Sequence, residues 1–337
     1  MSATERNPQA PARPDPLPDP APRPRGKATG TVNTTVVACC QLAPALGDPA
    51  ANRELAADAV ADAAARGADV VVLPELVSSG YAFESQAEAR ASAEAADGAT
   101  VTLWARLAAD HQIVIVGGFC EIAAGELFNS AALVDPGGLR CVYRKAHLWD
   151  SEGRWFSPGS AAPPVIATRH GAIAVLICYD LEFPEWVRLP ALDGAQLLCA
   201  PVNWPAFPRP DGERPAEIVR VQAGAAVNRM FIAACDRTGE ERGVAWVAGS
   251  VIVDADGWPL AGATIPAAPA GGPITITAAC RLGDALDKAI SPRNNVHADR
   301  RPELYRRVVE KTPAEHVRPG RSGGSCGYSG NSGQDDA

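Results

Sequence analysis

Residues 172–185 read AIAVLICYDLEFPE: an unbroken apolar run ending at Cys178, then Tyr179-Asp180, then a proline placed to open a helix. A short, continuously apolar run of this kind predicts a strand covered on both faces. Two further runs have the same form. DVVVLP (69–74) ends against Glu75, and LRCVYR (139–144) ends against Lys145. Function in layered α/β folds gathers where strands end and loops begin, so three strand ends here carry a side chain capable of chemistry.

Outward from these runs the pattern continues. TVVACCQL (35–42) reads as a strand. Asp48-Pro49 then opens a helix that Gly67 closes. A helix is expected at 99–110. QIVIVGGFCE, LFNSAALVD and LRCVYRK read as successive strands, the last two joined at Asp135-Pro136-Gly137-Gly138. Further on come a helix near 183–193, the strand AQLLCAPV, a helix near 214–230 and the strand MFIAACD. The stretch VAWVAGSVIVDADGWPLAGA reads as a hairpin turning at Asp256-Gly257, and ITITAACRL as a last strand. Strands that need cover on both faces, interleaved with helices, predict an α/β fold of several stacked layers.

The 337 residues carry 39 acids against 31 bases, a net charge of −8, which argues against a nucleic-acid partner. The basic stretch HADRRPELYRR (297–307) is short and isolated, and reads as a salt-bridging segment at a dimer seam. The apolar runs are too short to span a bilayer, so no membrane partner is expected. No basic-then-apolar leader is visible, and a cytoplasmic location is expected. Nine cysteines at irregular spacing include no Cys-x-x-Cys and no metal-type pattern, so no metal site is expected and most of them read as buried thiols. Residues 1–33 hold eight prolines between positions 8 and 24 and read as a disordered Pro-rich tail; 312–337 reads as a disordered Gly/Ser-rich tail. One domain is therefore expected over 34–311.

Singly, the three strand-end residues have bland readings: a loop acid for Glu75, a surface lysine for Lys145, a core thiol for Cys178. Together they compose a specific chemistry. A thiol needs a base to become a nucleophile, and a carboxylate supplies one. An ammonium beside both stabilises the thiolate and the oxyanion formed on a substrate. The Tyr179 N–H, at the turn after Cys178, is the natural second oxyanion donor. Asp180 and Glu182 read as caps of the helix that follows, with attraction for a cationic amine end of a substrate as the competing role.

PEL (74–76), YRKAHLWDSEGRWFSPG (143–159) and ICYDLEFPE (177–185), followed by APVNWP, AAVNRMFIAACDRTG and RRPELY, resemble the nitrilase superfamily, the carbon-nitrogen hydrolases, over roughly 36–305. The resemblance implies a four-layer α-β-β-α sandwich and a triad of Glu75, Lys145 and Cys178, with Glu152 as a second glutamate in the loop after the lysine. It implies no metal or organic cofactor, and a homodimer or larger homo-oligomer. Tyr-Asp after the cysteine, where nitrile-cleaving members carry Trp-Glu, is similar to the amidase branch. The implied reaction is hydrolysis of a small aliphatic amide to a carboxylic acid and ammonia through a thioester. Hydrolysis of an N-carbamoyl amine, nitrile hydrolysis and a catalytically silent binding homologue are the alternatives. Tyr81, Trp149, Tyr179, Asn203 and Trp204 are the candidate substrate-binding residues, with core packing as the competing role for the aromatic ones.

Overall fold

The computed structural model describes residues 34–262 and 273–310. Both expected tails lie outside the described residues. In chain order the strands are β1 (Thr35–Gln41), β2 (Val70–Val72), β3 (Val114–Ala123), β4 (Glu126–Asp135), β5 (Gly138–Arg144), β6 (Val165–Thr168), β7 (Gly171–Val175), β8 (Leu197–Pro201), β9 (Phe231–Cys235), β10 (Glu240–Glu241), β11 (Val244–Ala245), β12 (Val251–Val253), β13 (Pro259–Gly262), β14 (Ile274–Cys280), β15 (Ala289–Ser291) and β16 (Asn294–Asn295). The helices are α1 (Pro49–Ala65), α2 (Gln86–Ala91), α3 (Ala99–His111), α4 (Pro184–Leu192), α5 (Ala216–Asn228) and α6 (Pro302–Glu310).

Two six-stranded sheets result, ordered β14-β1-β2-β3-β4-β5 and β13-β12-β9-β8-β7-β6. Parallel pairing of β1, β2 and β3 forms the centre of the first, and of β7, β8 and β9 the centre of the second; antiparallel strands complete both. The sheets stack, with α1 and α3 outside the first and α4 and α5 outside the second. This is the α-β-β-α sandwich.

The alternation of side chains along each strand explains why the runs are apolar throughout. Val37, Cys39, Val70, Val72, Val114 and Val116 join the core between the sheets. Their neighbours Ala38, Cys40, Val71, Leu73 and Ile115 face the other way, into a second core under α1 and α3 with Trp104. The α1 boundaries follow the sequence: Asp48 accepts from the Ala51 N–H as N-cap, and Pro49 occupies the first turn.

Three expectations need correction. The run ending at Cys178 stops being a strand at Val175, and Cys178–Glu182 forms a 3₁₀ turn. Of the stretch read as one hairpin over 244–263, only β12 and β13 pair with each other; β11 instead pairs with β10. Glu182 does not cap α4 but pairs with Arg220 on α5 at 2.8 Å, and the N-cap position of α4 belongs to Phe183, which makes no side-chain cap.

One glycine is dictated by the layering. β3 passes directly against the turn that carries Glu75, and a Cβ at Gly118 would lie 2.4 Å from the Leu76 nitrogen and 2.6 Å from the Glu75 Cα. Backbone cannot yield as a flexible side chain does, so the added methyl acts as overpacking. Gly118→Ala is expected to destabilise the fold by about 1–3 kcal/mol, read as a lowered urea midpoint at unchanged slope; an unshifted midpoint would refute this close approach.

Candidate active site

The chain turns sharply after Glu75, at Cys178 and in the loop that follows Lys145. Cys178 itself has φ +44°, and Leu76, directly after Glu75, has φ +47°. Asp150, in the loop that carries Glu152, has φ +43°. Left-handed backbone at non-glycine residues costs energy and persists only where packing enforces it; such positions cluster at functional sites. The Glu75 turn is clamped to the opposite sheet. Its N–H reaches the Val202 carbonyl at 3.5 Å, and its carbonyl accepts from Asn203 Nδ2 at 2.9 Å. Lys145 is anchored by its N–H to the Asn129 carbonyl and by its carbonyl to the Gly159 N–H. A Cβ at Gly159 would meet the Arg144 oxygen at 2.1 Å, so only glycine closes that contact.

The side chains converge. Lys145 Nζ donates to Glu75 Oε1 at 2.8 Å and to Glu152 Oε1 at 2.7 Å, and both the lysine and Glu75 are fully buried. Asn129 Nδ2 donates to Glu75 Oε1 at 2.7 Å and reaches Glu152 Oε1 at 3.4 Å. The Tyr81 hydroxyl donates to Glu152 Oε1 at 2.7 Å, and the Trp149 N–H donates to Glu152 Oε2 at 3.0 Å. Glu75 Oε2 is buried and has no hydrogen-bond partner among the described residues. One carboxylate oxygen is thus held by the ammonium and an amide while the other is left able to take a proton.

Cys178 is 8% exposed, and its thiol contacts the Asn203 carbonyl at 3.8 Å. Asn203 therefore touches both Cys178 and the Glu75 backbone. Burial, with the Glu75 charge added, raises the Cys178 thiol well above its ordinary value, against the opposing pull of Lys145. Cys178 therefore rests as a neutral thiol, and a thiol in that state needs a base before it can act as a nucleophile. Burial also pushes the Glu75 carboxyl up to about 7, with Lys145 lowering and Glu152 raising it. Burial opposes the Lys145 ammonium, yet the Glu152 and Glu75 carboxylates together carry it above an ordinary lysine. Tyr81 is raised by burial and by Glu152, which keeps it a hydroxyl donor.

The remaining sequence candidates differ in where they stand. The Trp149 ring stands edge-on to Tyr179 at 4.9 Å, and Tyr179 edge-on to Phe183 at 5.1 Å. Trp204 is buried in the core between the sheets, the packing role rather than a pocket wall, and its backbone N–H donates to Asp236 Oδ1 at 3.0 Å. Among the described residues no cluster of three or more His, Cys, Asp or Glu could hold a metal ion.

Sequence reasoning missed several members. Asn129 lies mid-strand in an apolar run, and its only sequence signal is its polarity there. Trp246 packs edge-on against Tyr81 at 5.5 Å and lies beneath the Arg237 guanidinium. Arg237 pairs with buried Glu241, whose Oε2 accepts from the Tyr81 and Ala82 N–H groups. Asp236, at the end of β9, accepts from the Trp204, Arg237 and Gly249 N–H groups, and burial raises its carboxyl to about 7. The signal for this group was the charged run CDRTGEE closing an apolar strand, a fourth strand end that carries charged side chains.

Comparison with known proteins agrees with the geometry. The profile of the carbon-nitrogen hydrolase family matches residues 36–285. The nitrilase of Pyrococcus abyssi is 33% identical over 272 residues, covering 80% of this chain and 98% of its own. The (R)-stereoselective amidase of Pseudomonas sp. is 34% identical over 215 residues, covering 64% of this chain and 75% of its own. A solved structure of the amidase from Nesterenkonia sp. AN1, whose active-site cysteine has undergone Michael addition of acrylamide, superposes with a TM-score of 0.65 at 27% identity, over 81% of this chain and 99% of that one.

Removing the ammonium would leave two carboxylates facing each other without water. Breaking a buried ion pair on one side costs about 3–5 kcal/mol. Lys145→Ala is therefore expected to lower stability by that order in a denaturant titration at pH 8. A stability equal to that of the parent chain would mean that the pairing is not buried as described.

Proposed function

The chain belongs to the carbon-nitrogen hydrolase family, enzymes of the nitrilase superfamily built on a Glu-Lys-Cys triad, and from that premise we propose that it hydrolyses small, uncharged aliphatic amides to a carboxylic acid and ammonia. The observation that carries the proposal is the single ammonium of Lys145 held between Glu75 and Glu152 beside the Cys178 turn.

In this reading Glu75 is the general base. It takes the Cys178 thiol proton as sulfur bonds to the carbonyl carbon of the amide. The oxyanion forms against the Lys145 ammonium and the Tyr179 N–H, one of the first N–H groups of the 3₁₀ turn, which have no acceptor inside the turn. Glu75 returns the proton to the amine nitrogen, the C–N bond breaks, and ammonia leaves a thioester on Cys178. Glu75 then takes a proton from water as the hydroxide adds to the thioester carbon. Collapse of that second tetrahedral species expels the sulfur, which regains its proton, and releases the acid. Glu152 holds the ammonium from its far side and is itself held by Tyr81 and the Trp149 N–H.

The preference for a small, uncharged acyl group is supported by the depth of the centre and by its aromatic surroundings, Tyr81, Trp149 and Tyr179. Asn203 sits where its side chain orders the Glu75 turn and its carbonyl touches the thiol, a position from which it can orient a substrate amide. The Tyr179-Asp180 sequence after the nucleophile supports amide over nitrile chemistry. Exposed apolar residues on α4 (Leu189, Leu192), α5 (Val219, Val227) and α6 (Leu304, Val308, Val309) support a homo-oligomer. Free thiols at all eight described cysteines fit a cytoplasmic location. No helix among the described residues is long and apolar enough to cross a membrane.

A panel of short aliphatic amides, ω-amino amides, N-carbamoyl amines and nitriles, read by ammonia release, tests the proposal. Short amides are expected to turn over fastest, and Cys178→Ala to reduce release to background. Carbon dioxide from an N-carbamoyl substrate with no turnover of simple amides would reassign the substrate class. Undiminished release from Cys178→Ala would remove the nucleophile.

A further inference from the structure

Asp180, two residues beyond the nucleophile, is completely buried and does not cap α4. It instead accepts four hydrogen bonds from two different parts of the chain. The Ile177 N–H (3.2 Å) and the Tyr143 hydroxyl (2.7 Å) donate to Oδ2; the His147 N–H (3.1 Å) and His147 Nδ1 (2.7 Å) meet Oδ1. Ile177 immediately precedes Cys178, while Tyr143 and His147 flank Lys145 two residues to either side.

The donors are themselves fixed. The Tyr143 hydroxyl accepts from Trp186 Nε1 at 2.9 Å, and burial together with the Asp180 charge keeps it a hydroxyl. The His147 ring stacks on Phe183 at 3.8 Å and stands edge-on to Trp186 at 5.4 Å. One carboxylate thus fastens the strand end that carries the ammonium to the turn that carries the thiol. Nothing else described here joins those two segments by a charged group.

We infer that Asp180 is a positioning residue that sets where the Cys178 sulfur stands relative to the Lys145 ammonium. This rests on reading Cys178 as the nucleophile. Reacting groups misplaced by about 1 Å can lose on the order of a hundredfold in rate, so a clasp of this kind acts on kcat rather than on substrate affinity. The geometry also specifies why the isosteric amide cannot replace it. An asparagine turned either way directs its NH₂ at a backbone N–H, that of Ile177 or that of His147, and one of the two segments is released.

Asp180→Asn and Tyr143→Phe test this in the full-length chain, with amide turnover and the alkylation of Cys178 by iodoacetamide as separate readouts. Asp180→Asn is expected to lower kcat by about 10–100-fold with KM changed by less than about threefold, and to slow Cys178 alkylation about tenfold. Tyr143→Phe, which removes one donor and keeps the charge, is expected to lower both rates severalfold, and it decides the matter alone should Asp180→Asn not fold. Parental kcat and alkylation rates in both variants, with only a lowered melting temperature, would make Asp180 purely structural and overturn the inference. Alkylation needs no amide substrate: a slowed alkylation in a chain that hydrolyses no amide would refute the proposed reaction and leave the positioning role standing.

Discussion

A lysine ammonium with no access to water, held between two carboxylates, is the constraint from which the rest of the site follows. Taking three ionised groups out of water costs several kcal/mol each, and mutual attraction offsets this only in close, fully hydrogen-bonded geometry. Lys145 meets Glu75 and Glu152 at 2.8 and 2.7 Å, and Asn129, Tyr81 and the Trp149 N–H supply further contacts, so that among the carboxylate oxygens of the group only Glu75 Oε2 is left without a partner. The group carries one more negative than positive charge when fully ionised. Burial, with the Glu152 charge added and against the pull of Lys145, raises the Glu75 carboxyl to about 7, where a carboxylate is useful as a base for a thiol.

The fold supplies this arrangement through its layers. Each sheet contributes strand ends to the same edge of the sandwich: β2 and β5 bring Glu75 and Lys145 from one sheet, and the segments after β7 and β8 bring Cys178 and Asn203 from the other. Left-handed turns at Leu76, Asp150 and Cys178 aim the side chains inward, and Gly118 and Gly159 let backbone segments approach more closely than any Cβ allows. Strain at the turns is tolerated because continuous apolar strands on either side leave the backbone no alternative position.

The triad was legible from sequence because each member directly follows a β-branched or apolar run, so a local pattern announces both the strand and its end. Asn129 was not legible: it sits inside such a run, and only the β4–β5 pairing, continued by the Lys145 N–H donating to the Asn129 carbonyl, brings it to the lysine. Asp180 was misread because its spacing from Pro184 matches a helix-capping pattern, while its partners besides the Ile177 N–H, Tyr143 and His147, lie more than thirty residues earlier in the chain. The very short strands β10, β11, β15 and β16, at two or three residues each, carry too few side chains to show periodicity. The larger layers were readable because alternation between two cores makes every position of a central strand apolar, whereas long-range contacts such as Glu241 with the Tyr81 N–H depend on closure across 160 residues.

The pH dependence of kcat/KM on a short amide tests the central claim most directly. Glu75 acts as a base only when ionised, and burial raises its carboxyl, so the inactive protonated form should accumulate as pH falls through about 7. The account predicts an acid limb with its midpoint near 7, below which the rate drops towards tenfold per pH unit. A limb at the ordinary carboxylate value, with full activity retained at pH 5.5, would contradict it.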